Sequence, residues 1–217
     1  MIFRKFLART PWYGFCKSLG HYPDYGWWLL RGKPVRSPHL VKQRAVREYA
    51  ARFGLRVLVE TGTYYGEMIA ATRRSFDRIY SIEFDPRLAR LAQKRFAPFP
   101  HIRILQGDSQ TLIPALLATL GEPALFWLDA GYYGWAGSQG DNTRLSAELE
   151  AILRHSLRNV VLLDDARGLD GRNGTLTVAQ LTSYIESQFP GRSVAVLHDI
   201  LRITPSSEAN VRSPQPA

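Results

Sequence analysis

Apolar segments of strand length alternate with helical stretches over most of this 217-residue chain. A helical stretch follows each of the first five apolar segments, and this order is typical of a parallel sheet covered by helices on both faces. The sequence therefore predicts an α/β fold. The predicted strands are 56–60, 78–83, 102–106, 124–129, 159–164, 193–197 and 200–204, and the predicted helices are 38–53, 66–75, 86–96, 109–120, 143–155 and 176–188.

The last two predicted strands are separated only by His198 and Asp199. Two residues allow a tight antiparallel hairpin and are too few for a helical crossover. We therefore expect a seven-stranded sheet that is mostly parallel and ends in an antiparallel hairpin. Residues 37–204 would form one domain, preceded by an irregular, basic and aromatic extension (1–36) and followed by a disordered tail (205–217).

Composition limits the kinds of structural site and the cellular location that the protein can have. The chain is 45% hydrophobic, enough for one full core. The single cysteine, Cys16, excludes an internal disulfide framework and a Cys-rich zinc site. No apolar run reaches the roughly 18 residues that span a bilayer. We expect a cytoplasmic protein, with peripheral attachment to a membrane as the alternative.

Positive charge is concentrated at the start of the chain. Residues 1–50 contain ten Lys or Arg against two acids, whereas the rest of the chain is nearly neutral. The excess favours contact of residues 1–36 with an anionic surface, although solubility alone explains it equally well. Trp27, Trp28 and Leu29 would suit a homo-oligomer interface as readily as a lid.

The stretch E-T-G-T-Y-Y-G-E (residues 60–67) ends the first predicted strand. A dinucleotide fingerprint needs glycines spaced G-x-G-x-x-G, but in a pattern that starts at Gly62 the second and third glycine positions are occupied by Tyr64 and Glu67. Tyr64 would obstruct a pyrophosphate, and Glu67 would place negative charge in the first helical turn. NAD is therefore disfavoured, whereas an adenosine ligand without phosphate is compatible.

Glu83 ends the second strand, 21 residues after Gly62, where an acid can bind ribose hydroxyls. Together E-T-G-T-Y-Y-G, S-I-E-F-D and Q-G-D-S resemble the motifs of class I methyltransferases that depend on S-adenosylmethionine (SAM), which have a Rossmann-like fold. The resemblance implies that Glu60 and Gly62 line the methionine part of SAM and Glu83 its ribose. The rest of the implied cofactor site comprises Asp108 and Ser109 at the adenine, together with Thr63, Gly66 and Asp129.

Three aspartates follow the fourth and fifth strands: Asp129, Asp164 and Asp165. Close carboxylates repel unless something neutralises them, and a hard cation such as Mg²⁺ is the simplest candidate. The positions are similar to those of the metal ligands in the macrocin O-methyltransferase family, and still more to an uncharacterised bacterial group with W-L-D-x-H-Y and L-I-D-D-A-R signatures. The alternative is that Asp129 and Asp164 cap helices while Asp165 pairs with Arg167.

One position departs from both families. Macrocin-type enzymes place a general-base aspartate two residues after the first metal ligand, where this chain has Gly131. Proton removal would then fall to Tyr132, to the metal ligand Asp129 or to water. The Gly-rich loop 130–142 also has Tyr133 and Trp135, which suit a mobile lid over an acceptor or an ordinary surface loop.

These patterns favour an O-methyltransferase for a small-molecule or glycan hydroxyl. A nucleic-acid methyltransferase ranks lower, because the chain lacks an N-P-P-Y-like motif at the fourth strand and any RNA-binding module. A non-catalytic SAM-fold protein that binds or assembles is the other alternative, given Gly131.

Overall fold

The computed structural model describes residues 23–34, 36–129, 147–172 and 176–206. The strands are β1 (Val57–Thr61), β2 (Arg78–Glu83), β3 (Ile102–Gln106), β4 (Ala124–Leu128), β5 (Val160–Leu163), β6 (Arg192–Leu197) and β7 (Ile200–Pro205). The helices are α1 (23–30), α2 (His39–Phe53), α3 (Glu67–Thr72), α4 (Pro86–Phe96), α5 (Ser109–Leu117), α6 (Ala147–Arg154) and α7 (Val178–Gln188), and Ala166–Gly168 forms one 3₁₀ turn.

All seven strands belong to one sheet with the order β3-β2-β1-β4-β5-β7-β6. The first five strands are parallel, and β7 runs antiparallel to both β5 and β6. The predicted fold class is therefore confirmed. The strand order reverses between β1 and β4, and in open parallel sheets ligands bind beyond the carboxyl ends of the strands at such a reversal.

The two central strands are buried on both faces, as their continuous apolar sequences predicted. Because successive strand side chains point to opposite faces, Val57 and Val59 pack in one hydrophobic cluster and Leu58 packs in the other. The first cluster includes side chains of α5, α6 and α7, and the second includes side chains of α2, α3 and α4. Helices therefore pack on both faces of the sheet.

Residues 23–30 are helical, where the sequence predicted an irregular extension. Trp28 explains the difference: its side chain is buried, its ring lies edge-on to His198 at 5.0 Å between centroids, and its Nε1 donates to the carbonyl of Pro34 at 2.8 Å. His198 comes from a distant part of the chain, so the local sequence, with its glycines and prolines, did not reveal the helix.

His198 and Asp199 form the turn between β6 and β7, each with positive φ (53° and 61°), as two-residue hairpin turns require. The start of α2 is attached to this turn, because the Ser37 hydroxyl donates to the carbonyl of His198 at 2.6 Å. Across the described residues, no helix is both long enough and apolar enough to cross a bilayer.

Candidate cofactor and acceptor site

The turn after β1 is shaped by Gly62. Its φ is +81°, and its N–H donates to the carbonyl of Ile82 at the end of β2 at 2.9 Å. A Cβ placed on Gly62 would lie 3.4 Å from Cβ of Asp129, the residue after β4. The loops that follow β1 and β4 therefore touch at the strand reversal, which brings two predicted site residues together. Thr63 is buried beside them, with its hydroxyl 2.6 Å from that of Ser81.

Gly66 ends the same turn and precedes α3, with φ +70°. A Cβ there would lie 2.4 Å from an atom of the Phe96 ring, closer than atoms can approach. Glycine is thus required at this position by both backbone conformation and packing. Within the turn Tyr64 is 59% exposed with φ +48°, and Glu67 is the first residue of α3. The predicted effect of these two residues on a pyrophosphate stays a prediction.

Glu83 joins the loops that follow β1 and β2. One carboxylate oxygen accepts from the backbone N–H of Tyr64 at 2.7 Å and the other from that of Asp85 at 2.9 Å. The side chain is buried. A carboxylate has about four lone-pair positions, so these two hydrogen bonds leave capacity for two ligand hydroxyls. The predicted ribose acid is therefore held in place by backbone on both sides.

Glu60 is the most deeply buried carboxyl group of the site, with 2% of its surface exposed. Burial, with smaller contributions from the charges of Asp129 and Glu83, raises the pKa of Glu60 to about 8, against the opposing effect of the hydrogen bond from Ser81 at 2.5 Å. At neutral pH the carboxyl group is mostly protonated. A cationic ligand beside it would favour ionisation, so the position is suited to a positively charged group.

Asp108 and Ser109 lie at the start of α5. Asp108 caps the helix, with its carboxylate accepting from the N–H of Gln110 at 3.0 Å, so the helix-cap role is present at the predicted adenine-side position. Glu148 of α6, which the sequence did not single out, lies next to them. Burial raises the pKa of Glu148, and the hydrogen bond with Ser109 lowers it. A glutamate in the first turn of an amphipathic helix usually faces water, so no sequence pattern indicated this position.

The three predicted metal ligands follow β4 and β5. Asp129 is exposed, Asp164 is buried, and Asp165 has a left-handed backbone with φ +53°. Burial raises the pKa of Asp164 to about 6, and the charges of Asp165 and Asp129 contribute in the same direction. Since Asp129 also raises the pKa of Glu60, the carboxyl groups of Glu60 in β1, Asp129 after β4 and Asp164 after β5 act on one another.

Basic side chains lie against the aspartates after β5. Lys42 Nζ of α2 lies 2.5 Å from Asp164 Oδ2 and 3.4 Å from Asp165 Oδ1. Arg167 lies 2.9 Å from Asp165 and also bonds the buried carboxylate of Asp199. The Asp165–Arg167 pair is the alternative that the sequence had left open. Lys42 was missed, because a lysine 122 residues before Asp164 gives no local indication of this contact.

This arrangement does not fit the predicted magnesium site. Within the described residues, no group of three or more His, Cys, Asp or Glu side chains is placed to hold a metal ion. Both oxygens of Asp164 already accept hydrogen bonds, Oδ2 from Lys42 and Oδ1 from the N–H of Asp165 at 2.8 Å. Tyr132, Gly131 and the rest of loop 130–142 lie outside the described residues, so their predicted roles stay predictions.

No family model matches the chain, and no curated protein sequence matches it significantly. Solved structures do match its fold. An O-methyltransferase from Bacillus cereus in complex with SAH matches with TM-score 0.56 and 14% identity, over 82% of this chain and 86% of that one.

The O-methyltransferase TomG from Streptomyces achromogenes, involved in tomaymycin synthesis and solved with SAM, matches with TM-score 0.53 and 17% identity over 76% of this chain and 78% of that one. SAM-bound CalS10 from Micromonospora echinaspora is an amino pentose methyltransferase involved in calicheamicin biosynthesis. It matches with TM-score 0.53 and 16% identity, over 83% of this chain and 95% of that one. Likeness at this identity establishes a shared fold.

Proposed function

We propose that this chain is a SAM-dependent methyltransferase that acts on a hydroxyl group of a small molecule or glycan. One observation carries the proposal: the buried Glu83 carboxylate is fixed by the N–H of Tyr64 in the turn after β1 and by the N–H of Asp85 after β2, beside the point where the strand order reverses. An acid held there is suited to ribose hydroxyls. The similar structures that were solved with SAM or SAH support the same cofactor.

The other residues of the edge suit the remaining parts of SAM. Glu60 is buried and mostly neutral without a ligand, so a cationic amino group beside it would restore its charge. Asp108 and Ser109, at the start of α5, would bind the adenine side, with Glu148 next to them. When bound, SAM supplies a methyl group carried on a positively charged sulfur.

A phosphate-bearing dinucleotide fits less well. The turn has Tyr64 with positive φ where a pyrophosphate needs close backbone approach, and α3 begins with Glu67 where a phosphate would need positive potential. Helix α3 is also only six residues long. These features support the proposal of a nucleoside ligand without phosphate.

Two O-methyltransferases and a sugar methyltransferase among the similar folds support a hydroxyl or sugar acceptor. The residues of this chain that would orient the acceptor are Asp129 and, from the loop outside the described residues, Tyr132. Asp129 is exposed at the end of β4 and lies against Gly62, so its carboxylate could accept the hydroxyl proton. Magnesium is left out of the proposal because Lys42 and the N–H of Asp165 occupy the oxygens of Asp164.

Gly131 supports a second candidate, a SAM-fold protein that binds the cofactor without turnover. Cofactor binding cannot separate the two functions, whereas turnover can. Incubation with methyl-labelled SAM and panels of sugar, phenol and nucleic-acid acceptors would distinguish them. Label transfer to a hydroxyl supports the enzyme, transfer to nucleic acid only would replace the hydroxyl acceptor, and binding without transfer to any panel favours the second candidate.

The cofactor assignment is tested by calorimetric titration with SAM, SAH and NAD⁺. We expect Glu83→Gln to weaken SAM binding by roughly tenfold or more, because the amide loses the charge and one acceptor oxygen. Glu186→Gln makes the same chemical change at an exposed position of α7 and should leave the affinity unchanged. Binding of NAD⁺ in place of SAM, or equal SAM affinity in both variants, would contradict the proposal.

A further inference from the structure

Lys42 occupies the place where a cation is needed beside the Asp164–Asp165 pair. Its ammonium group contacts one oxygen of each aspartate, at 2.5 Å and 3.4 Å, and its side chain is 17% exposed. The side chain of Asp164 is 4% exposed, so this carboxylate depends on the contact for compensation of its charge. Lys42 belongs to the first turns of α2, and Ser37 attaches the start of that helix to the β6–β7 turn.

A second cation, Arg167, compensates negative charge on the Asp165 side of the Asp164–Asp165 pair. Arg167 bonds both Asp165 and Asp199, and the N–H of Arg167 donates to Asp199 at 2.8 Å. Asp165 therefore lies between two basic side chains. Lys42 and Arg167 thus offset part of the negative charge of Asp164, Asp165, Asp199 and the nearby Asp129, which weakens the attraction for a divalent ion.

A magnesium ion could not share the site with Lys42. Mg²⁺ binds carboxylate oxygens at about 2.0–2.1 Å with nearly octahedral geometry. An ammonium nitrogen 2.5 Å from Asp164 Oδ2 already occupies a coordination position of that oxygen, and its positive charge would repel the ion. The remaining oxygen, Oδ1, accepts from the backbone of Asp165, and metal binding there would break that hydrogen bond. Metal and lysine are thus mutually exclusive.

We propose that Lys42 is a built-in replacement for a divalent cation at this edge of the sheet, and that the protein works without a metal ion. The inference rests on the proposed function for its role in catalysis. Lys42 has three N–H groups, and two suffice for the described carboxylates, so the third can donate to the oxygen of a bound acceptor. The ammonium charge would then stabilise negative charge that develops on that oxygen, as a metal does elsewhere.

The experiment measures Mn²⁺ binding, with Mn²⁺ as the paramagnetic substitute for Mg²⁺, by the loss of the free-ion signal in electron paramagnetic resonance. The full chain is compared with Lys42→Met, which keeps the length of the side chain and removes its charge. Lys94→Met, at an exposed position of α4, is the matched control. Lys42→Arg retains the charge and provides a second test if the methionine variant does not fold.

We expect the wild type, Lys94→Met and Lys42→Arg to show only weak Mn²⁺ binding. Lys42→Met should bind Mn²⁺ roughly tenfold tighter or more, and adding Asp164→Asn should abolish the gain. Tight Mn²⁺ binding by the wild type that Asp164→Asn removes would overturn the proposal. Lys42→Met affinity equal to that of Lys94→Met, or tight binding by Lys42→Arg, would do so as well.

Cofactor binding is a separate readout, so the two proposals can fail independently. If SAM does not bind to the wild type, the proposed function fails while the Mn²⁺ result still decides whether Lys42 replaces a metal. If methyl transfer is found, the rate should be the same with a chelator as with Mg²⁺. A rate that falls on chelation and returns with Mg²⁺ would show that Lys42 does not replace the ion.

Discussion

Glu60→Gln should make the protein more stable at neutral and alkaline pH and remove most of the pH dependence that this side chain causes. Glu60 is almost completely buried at the end of β1, and burial raises the pKa of Glu60 to about 8. Glutamine has nearly the same shape and can accept the hydrogen bond that Ser81 donates. It has no charge to ionise, so the substitution removes the cost of a buried carboxylate with little change in packing.

The direction of this pH dependence follows from the number of protons that the folded and the unfolded states bind. Between pH 4.5, the ordinary pKa, and pH 8 the folded protein retains a proton that the unfolded chain has released. The stability of the wild type therefore falls as pH rises through this window, by up to about 1.4 kcal/mol per pH unit. Below the window the group is protonated in both states, and above it the cost levels off. Over the whole window the total reaches the order of 5 kcal/mol.

Urea denaturation of the wild type and Glu60→Gln at several pH values from 5 to 9 measures this contribution directly. We expect the difference in unfolding free energy to be small near pH 5 and to reach several kcal/mol in favour of the variant by pH 8. Glu186→Gln, at an exposed position, should follow the wild type at every pH. A constant difference across the pH range would refute the reasoning, because it would mean that Glu60 does not change its charge in that window.

Two further substitutions test packing beside the site, each by thermal or urea denaturation. Gly66→Ala should destabilise the fold by about 3 kcal/mol or more, because its Cβ would meet the Phe96 ring at 2.4 Å in a left-handed backbone. Gly121→Ala is the control, since it has open space around it and should change stability little. Equal effects of the two substitutions would contradict this account. Trp28→Ala should lower the free energy of unfolding by about 3 kcal/mol or expose residues 23–30 to proteolysis. Trp27→Ala should do neither, because Trp27 is 63% exposed. Full protection from proteolysis in both variants would show that Trp28 does not hold the helix in place.

The sheet was predictable because its signal is local. A strand such as β4 is buried along its whole length, so its sequence is continuously apolar and stands out from the helices on either side. The two residues between β6 and β7 also dictated an antiparallel hairpin, which the structure has. Even the glycines of the first turn could be recognised, since each is needed by the backbone at its own position.

The electrostatic partners could not be predicted, because they are set by contacts distant in sequence. Lys42 lies in a helix whose sequence is explained by the apolar face formed by Ala45 and Tyr49, and nothing near it indicates a carboxylate 122 residues later. Three aspartates after adjacent strands were therefore interpreted through the commonest neutraliser, a metal ion. Glu148 and Trp28 were missed for the same reason, since the residues that bury them come from other elements.

The buried acids Glu60 and Asp164 differ in their charge state at neutral pH, and this difference suggests where the cofactor and the acceptor bind. Glu60, near the end of β1, has a hydroxyl partner and is mostly neutral at pH 7, so a cation that binds beside it favours its ionisation. Asp164 after β5 already has Lys42 and is largely ionised at that pH, so a second cation gains little there. A positively charged cofactor is thus favoured on the β1 side, and the β5 side is left for an uncharged acceptor whose oxygen can accept a hydrogen bond from the lysine.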